Sequence, residues 1–168
     1  DFRDLFVHSP ADAKLIYLDG NSLGRQPRAV AQVLEEVIDH QWAERLIRGW
    51  NEGWLDISTS IGDLIGELIG AQPGEVTLAE NTSACLYKAA VAALRVQLGK
   101  GSVVTDSENF PSDIHILRSA CVTAGSHHSV TVVDTTSASD PTSAVLDAID
   151  VSTALVSLSH VSYKAGWR

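Results

Sequence analysis

The chain has 168 residues, of which 12 are Lys or Arg and 21 are Asp or Glu, giving a net charge of −9. This acidic balance argues against binding to nucleic acid or to an anionic membrane, because both need clustered basic side chains. At 45% hydrophobic and 20% charged residues, the composition excludes a disordered or fibrous protein. No apolar run approaches the roughly 18 residues of a membrane span, and the first residues, 1–4, are too charged for a signal peptide. We therefore expect a soluble protein of the cytoplasm.

Two features favour reading the sequence as a stretch of a longer protein. It contains no methionine, and it ends on the segment Val161–Arg168 without a helix cap or a polar tail. The alternative is a methionine-poor chain that ends where it is written.

The first part of the sequence, residues 1–72, predicts an arm with helices. The apolar run Leu15–Leu18 predicts a short strand, and the Gly- and Asn-rich residues that follow predict a tight turn. Apolar residues spaced by three and four indicate an amphipathic helix over residues 28–47 that begins near Pro27. A second helix is predicted over Ser58–Ile69, ending at Gly70.

From Pro73 onward, the pattern alternates between strands and helices, which indicates βαβ units and a mostly parallel α/β sheet. The predicted strands are Glu75–Ala79, Ser102–Asp106, Ser129–Asp134 and Ala154–Ser159, and the predicted helices are Ser83–Leu98, Ser112–Thr123 and Thr142–Ile149.

Ligands of parallel sheets bind beyond the carboxyl ends of the strands, where helices begin. Thr82 and Ser83 stand at one such junction, where they could bind a phosphate or simply cap the helix. At the next junction, Phe110 could stack on a planar ring or cover the edge of the sheet, and Ser112 or Asp113 is predicted to cap the helix. Ser159 ends the last strand.

Other candidate motifs are weaker. The glycine-rich signatures of dinucleotide-binding and P-loop proteins are absent from the sequence. Adjacent His127 and His128 would point their rings apart in a regular element, so we predict no metal site there. Cys85 and Cys121 fall on predicted helices among Ala and Leu, where buried thiols are expected.

Five segments, in this order along nearly the whole chain, resemble the kynureninases, a family of pyridoxal-phosphate enzymes of fold type I. The pairing of GNSLG with FPSD is the most specific part of the resemblance. The segments are YLDGNSLG (17–24), WNEGW (50–54), NTSACLYK (81–88), FPSD (110–113) and SLSHVSYKAG (157–166).

The resemblance implies a role for each of these segments. Thr82 and Ser83 would hold the phosphate of pyridoxal 5′-phosphate, and Ser159 would contact the cofactor from its strand end. Ser22 and Trp50 would touch the substrate and its aromatic ring. Phe110 would stack on the pyridine ring, with its neighbours Pro111, Ser112 and Asp113 shaping the surroundings.

The implied reaction is hydrolytic cleavage of the Cβ–Cγ bond of kynurenine or 3-hydroxykynurenine, to anthranilate or 3-hydroxyanthranilate and alanine. It belongs to tryptophan catabolism and NAD biosynthesis. The family also implies a homodimer with active sites at the subunit interface, for which Trp42, Trp50 and Trp54 are candidate contacts.

The resemblance covers less than half of a family member, so residues 73–168 would be the first half of the large cofactor-binding domain. The family's Schiff-base lysine would lie beyond Arg168, because neither Lys88 nor Lys164 has its sequence context. The stretch alone is then expected to be inactive. Two alternatives remain: a related enzyme such as a cysteine desulfurase or class-V aminotransferase, and a truncated, non-catalytic binding module.

Overall fold

A computed structural model of the chain describes residues 2–125 and 127–166, which divide into two compact units between Leu78 and Ala79. The expectations that involve Asp1, Trp167 and Arg168 lie outside these residues. Within the described ranges, every helix is too short or too polar to span a lipid bilayer.

The first unit is helical, but its first long helix is interrupted. Helix α1, Ala29–Glu36, continues as a wider π-helical turn over Val37–Trp42, followed by a 3₁₀ turn over Leu46–Trp50. The helix predicted for residues 28–47 is therefore confirmed over α1, continues in π-helical form to Trp42, and is wrong beyond that residue. Leu46 has a φ of +52°, a left-handed conformation that ends a right-handed helix.

The strand predicted for Leu15–Leu18 is also wrong, although the turn that follows it is present. A strand needs a partner for its backbone groups, and these residues instead form a loop held from within. The Tyr17 hydroxyl lies 2.6 Å from the carbonyl oxygen of Leu23, and the Ser22 and Leu23 amides donate to the carbonyl oxygen of Asp19.

Helix α2, Ile57–Ile69, confirms the second prediction and ends at Gly70, whose φ of +78° is left-handed. The extended segment after it is not the strand predicted for Glu75–Ala79. The Leu78 amide donates to the carbonyl oxygen of Ser58 on α2, and the Val76 backbone lies against Gly62 on the same helix. The segment's alternating pattern thus reflects packing on a helix, since no strand of the described residues pairs with it.

The second unit contains a parallel α/β sheet, which confirms the predicted class, with three strands among the described residues in place of the four predicted. The elements are α3 Thr82–Val96, β1 Ser102–Asp106, α4 Pro111–Ala124, β2 Ser129–Val133, α5 Pro141–Asp147 and β3 Thr153–Val156. The strand order is β2-β1-β3, with both pairs parallel.

The central strand β1 forms the middle of the core. Val103 and Val104 are fully buried, and Val103 belongs to an apolar cluster with residues of α3 and α4. Alternation along the strand turns Val104 to the other face, and α5 also contacts β1. The cluster's other buried members are Ala90, Leu94, Leu117, Ala120 and Cys121.

The two cysteines differ in burial. Cys121 is buried in the core, and this burial raises the pKa of its thiol. Cys85 is exposed on α3, so the prediction of a buried thiol is wrong for this residue, which lies outside the face that packs on α4 and β1.

The contact between α2 and Val76 can be tested with a matched pair of glycine substitutions. A Cβ added at Gly62 would lie 2.7 Å from the Val76 carbonyl carbon, so Gly62→Ala should lower the free energy of unfolding by about 1–3 kcal/mol. At Gly66, also buried on α2, the nearest atoms would be 3.7 Å away. Gly66→Ala should therefore be neutral, or stabilising by up to about 1 kcal/mol through helix propensity.

Chemical denaturation of the two variants measures the difference. An unchanged stability in Gly62→Ala would contradict the packing of residue 76 on α2.

Candidate functional site

The strand order of the second unit identifies a candidate position for a ligand. The chain passes from β1 to β2 on one side, and then returns past β1 to β3 on the other. A sheet with this reversal leaves a crevice at the carboxyl ends of its first and third strands, which is the common ligand position in open α/β folds. In this chain, the corresponding position, which we call the crevice, is flanked by the loop after β1, residues 107–110, and by the segment after β3, residues 157–163.

A buried asparagine connects the two sides of the crevice. The Asn109 side-chain amide is 3.0 Å from the Thr105 hydroxyl and 3.3 Å from the Ser157 carbonyl oxygen, and donates to both. Its oxygen accepts from the Phe110 amide and from the Ser159 hydroxyl, both at 2.8 Å. The end of β1 and the segment after β3 are therefore joined through one side chain.

Phe110 lies at the crevice with its ring half exposed. The residue is 51% exposed to solvent, so Phe110 is not part of the buried core at the edge of the sheet. The ring packs edge to face against Tyr163, with centroids 5.1 Å apart. An aromatic ring that is supported on one side and open elsewhere can stack on a planar ligand.

A second set of buried hydrogen bonds joins the loop after β1 to the segment after β3. The Ser162 hydroxyl donates to the Glu108 carboxylate at 3.0 Å, and the Glu108 amide donates to the Asp106 carboxylate at 2.8 Å. All three residues are buried. The bond between Glu108 and Asp106 lies within the loop after β1, and the bond between Ser162 and Glu108 joins this loop to the segment after β3. Both segments are therefore held at the edge of the sheet.

The start of α4 differs from the prediction that Ser112 or Asp113 caps it. The helix begins with Pro111 in its first turn, and Phe110 occupies the cap position without a side-chain bond. Proline suits this place because its missing N–H would be unpaired there. The Ser112 hydroxyl donates to the Asp113 carboxylate at 3.1 Å, which directs both polar groups to one end of the helix.

Ser159 lies beyond the end of a shorter strand than predicted. Strand β3 ends at Val156, although the Ser157 amide still donates to the Val104 carbonyl oxygen. The side chain of Ser159 is partly buried and bonded to Asn109, while His160 is exposed.

The start of α3 has free hydrogen-bonding groups. Asn81 is its cap, accepting from the Ala84 amide at 2.8 Å. Neither the hydroxyls nor the amides of Thr82 and Ser83 have a partner among the residues that the structure describes, so these hydroxyls are not the cap. Unpaired N–H groups at the start of a helix favour an anion. In the described ranges, no hydrogen bond joins Thr82 or Ser83 to Phe110 or Ser159.

Both lysines near these segments contact neighbouring side chains. The Lys88 ammonium lies 2.8 Å from both Glu80 carboxylate oxygens, and these bonds raise the pKa of Lys88 while lowering the pKa of Glu80. Lys88 is thus protonated near neutral pH, the form that cannot act as a nucleophile. Lys164 lies 5.5 Å from the centre of the Tyr163 ring.

The predicted substrate residues belong to the first unit. Ser22 is exposed in its turn and donates to the Asp19 carboxylate at 2.8 Å. Trp50 is about half exposed and packs edge to face on Trp54, whose indole N–H donates to Gln41.

The two adjacent histidines do not point apart as expected. The ring centroids of His127 and His128 are 3.9 Å apart, because these residues lie in a turn instead of a regular helix or strand. Over residues 2–125 and 127–166, no cluster of three or more metal-ligating side chains occurs.

Three buried polar residues that join the loop after β1 to the segment after β3 were not predicted from the sequence. They are Asn109, Glu108 and Ser162, which all lie within or beside segments that carry the resemblance. A signal was available in the run Thr105–Asn109, where polar residues continue a buried strand without a break.

The fold defines an α/β protein with a parallel sheet, and the buried polar contacts described above lie at the carboxyl ends of β1 and β3. Comparison with known proteins gives the relatives of this chain. It is 39% identical to the kynureninase of Pseudomonas fluorescens over 158 residues, which is 91% of this chain and 36% of that protein. The kynureninases of Burkholderia pseudomallei (strain 1106a) and Burkholderia mallei (strain SAVP1) are 38% and 37% identical over 160 residues.

The resemblance to kynureninases that the motifs indicate is thus confirmed. The chain spans a little over a third of the length of the curated relatives it matches. No protein-family model matches the sequence.

Proposed function

We propose that this chain forms the first part of the cofactor-binding region of a kynureninase, whose complete enzyme hydrolyses the Cβ–Cγ bond of kynurenine or 3-hydroxykynurenine. The observation that carries the proposal is the crevice in which Asn109 holds Phe110 and Ser159 at the ends of β1 and β3. The kynureninase relatives support this assignment over 91–92% of the chain.

The residues of the second unit suit pyridoxal 5′-phosphate. The phosphate would take hydrogen bonds from the unpaired amides and hydroxyls of Thr82 and Ser83, at the positive end of the α3 dipole. The open ring of Phe110 offers a stacking surface for the pyridine, and Ser159 offers a polar contact beside it. Pro111, Ser112 and Asp113 would complete the surroundings at the start of α4. The bound cofactor supplies an electron sink for the bond that is cleaved.

The protein's own contribution here is binding and orientation. Held by Asn109 beyond the ends of β1 and β3, Phe110 and Ser159 would fix the plane of the ring, while Ser22 and Trp50 of the first unit would contact the amino-acid substrate. We place the lysine that attaches the cofactor outside Lys88 and Lys164, because neither has the sequence context of the family's lysine and Lys88 is paired with Glu80. The stretch alone would then be inactive.

The proposed reaction predicts a direct assay. Full-length protein carrying this sequence should bind pyridoxal phosphate, with a visible absorption band, and release fluorescent anthranilate from kynurenine. Activity on cysteine or on alanine with glyoxylate, without activity on kynurenine, would point to a related enzyme. Absence of both the absorption band and any product would favour the non-catalytic binding module.

The phosphate position predicts different effects for two neighbouring residues at the start of α3. Ser83→Ala should weaken pyridoxal phosphate binding by about 1–3 kcal/mol, the scale of a hydrogen bond to a charged group, and leave the melting temperature of the apoprotein unchanged. Asn81→Ala removes the cap and should lower stability by about 1 kcal/mol.

Cofactor titration and thermal unfolding of the full-length apoprotein separate these effects. If Ser83→Ala lowers the melting temperature while its titration matches the wild type, the phosphate does not bind at this turn.

The proposed enzyme is a homodimer, and the tryptophans give this proposal a test. Trp42 is 64% exposed, whereas Trp54 is partly buried and bonded to Gln41. Trp42→Ala should raise the dimer dissociation constant of the full-length protein, because truncated aromatic contacts commonly cost more than about 1 kcal/mol. Trp54→Phe is the control, expected to change stability but not assembly.

Analytical ultracentrifugation measures the dissociation constants. An active monomer at micromolar concentration would refute the dimer.

A further inference from the structure

The side chain of Asn109 has no spare hydrogen-bonding capacity, which is unusual for a residue in a loop. A primary amide has two N–H donors and an oxygen that accepts two bonds. All four are used, by Thr105, Ser157, Phe110 and Ser159. Asn109 is 3% exposed, so these bonds satisfy an amide that is buried away from solvent.

The bonds also fix the orientation of the amide and of the hydroxyl next to it. The Phe110 backbone N–H can only donate, so the Asn109 atom facing it at 2.8 Å must be the oxygen. Ser159 contacts this same oxygen at 2.8 Å, and must therefore donate its only proton to it. The remaining lone pairs of the Ser159 oxygen are left for other partners.

We propose that Asn109 is a positioning residue for the cofactor site, which fixes the Phe110 backbone and makes the Ser159 hydroxyl an acceptor toward the ligand. The inference rests on the proposed function, in which Phe110 and Ser159 contact pyridoxal phosphate. Ser159 would then bind a donor group of the ligand, such as a hydroxyl or an ammonium, and would disfavour a group that can only accept. Asn109 itself need not touch the ligand.

The test compares variants of Asn109 with a control of similar burial in the full-length protein. Asn109→Leu removes all four bonds and keeps the number of side-chain heavy atoms and their branching. Asn109→Asp keeps the two acceptor bonds to Phe110 and Ser159 but loses both donors. The control is Thr153→Val, which removes a buried hydroxyl that accepts from the Asp150 amide at the other end of the sheet, where β3 begins.

The first readout does not involve the cofactor. Hydrogen–deuterium exchange of a peptide spanning residues 107–113 in the apoprotein should become about tenfold faster in Asn109→Leu, because the Phe110 amide loses its acceptor. Exchange should stay near the wild-type rate in Thr153→Val. Asn109→Asp should retain most of the protection, and serves in place of Asn109→Leu if that variant does not fold.

The second readout is the affinity for pyridoxal phosphate, titrated into the apoprotein. We expect a loss of about tenfold or more in Asn109→Leu, a smaller loss in Asn109→Asp, and none in Thr153→Val at a comparable drop in melting temperature. The absorption maximum of the bound cofactor should shift in the Asn109 variants and not in the control. Equal losses of affinity in Asn109→Leu and Thr153→Val would show a merely structural role and overturn the proposal.

The two proposals fail in different ways. A wild-type protein that binds no pyridoxal phosphate refutes the proposed function and, with it, the role of Asn109 toward this cofactor. A wild-type protein that binds the cofactor, with unchanged affinity and exchange in Asn109→Leu, refutes the inference alone.

Discussion

The second unit depends on the pairing of β1 with a parallel strand on each side. Val103, Val104 and Thr105 have no solvent exposure, because α3 and α4 cover one face and a strand covers each edge. A parallel strand buried in this way reads as a continuous run of β-branched residues, as Val103, Val104 and Thr105 do in β1. Burying the strand also fixes its register, since a slip by one residue would exchange its two faces.

The same pairing explains why polar side chains collect at one edge of the sheet. Parallel strands end together, so the loop after β1 meets the segment after β3. These two segments carry backbone groups that no further strand pairs within the described residues, and buried groups of this kind need other partners. The Asn109 side chain pairs the Ser157 carbonyl oxygen and the Phe110 amide, and the Ser162 hydroxyl pairs the Ala165 amide while it donates to Glu108. The side chains that hold the loops around Phe110 and Ser159 thus also pair backbone groups that the sheet leaves free.

Local patterns predicted the second unit well and the first unit poorly. In the second unit, β1 and the start of β2 follow from the apolar pattern of the sequence. In the first unit, the end of α2 at Gly70 follows from glycine. Both signals act within a few residues. The strand predicted at Glu75–Ala79 failed because strand formation depends on a distant partner, and the segment packed on Gly62 instead. At the site, short motifs led to Phe110, Ser159 and the start of α3. The joining role of Asn109 could not be predicted, since its partners lie up to 50 residues away in sequence.

The two units also differ in how their functional surfaces are made. The second unit has its own core, so its crevice is shaped by contacts within the unit. In the first unit, the buried residues in the helices are the glycines Gly49, Gly62 and Gly66, while Leu34, Ile38, Trp42 and Leu64 remain exposed. Exposed apolar faces of this extent are typical of surfaces that take part in protein–protein contacts. The proposed substrate residue Trp50 belongs to the same unit and is itself half exposed. In the proposed kynureninase, the cofactor would thus be held by the buried polar contacts of the second unit, whereas the exposed helical faces of the first unit would supply contacts of the proposed dimer.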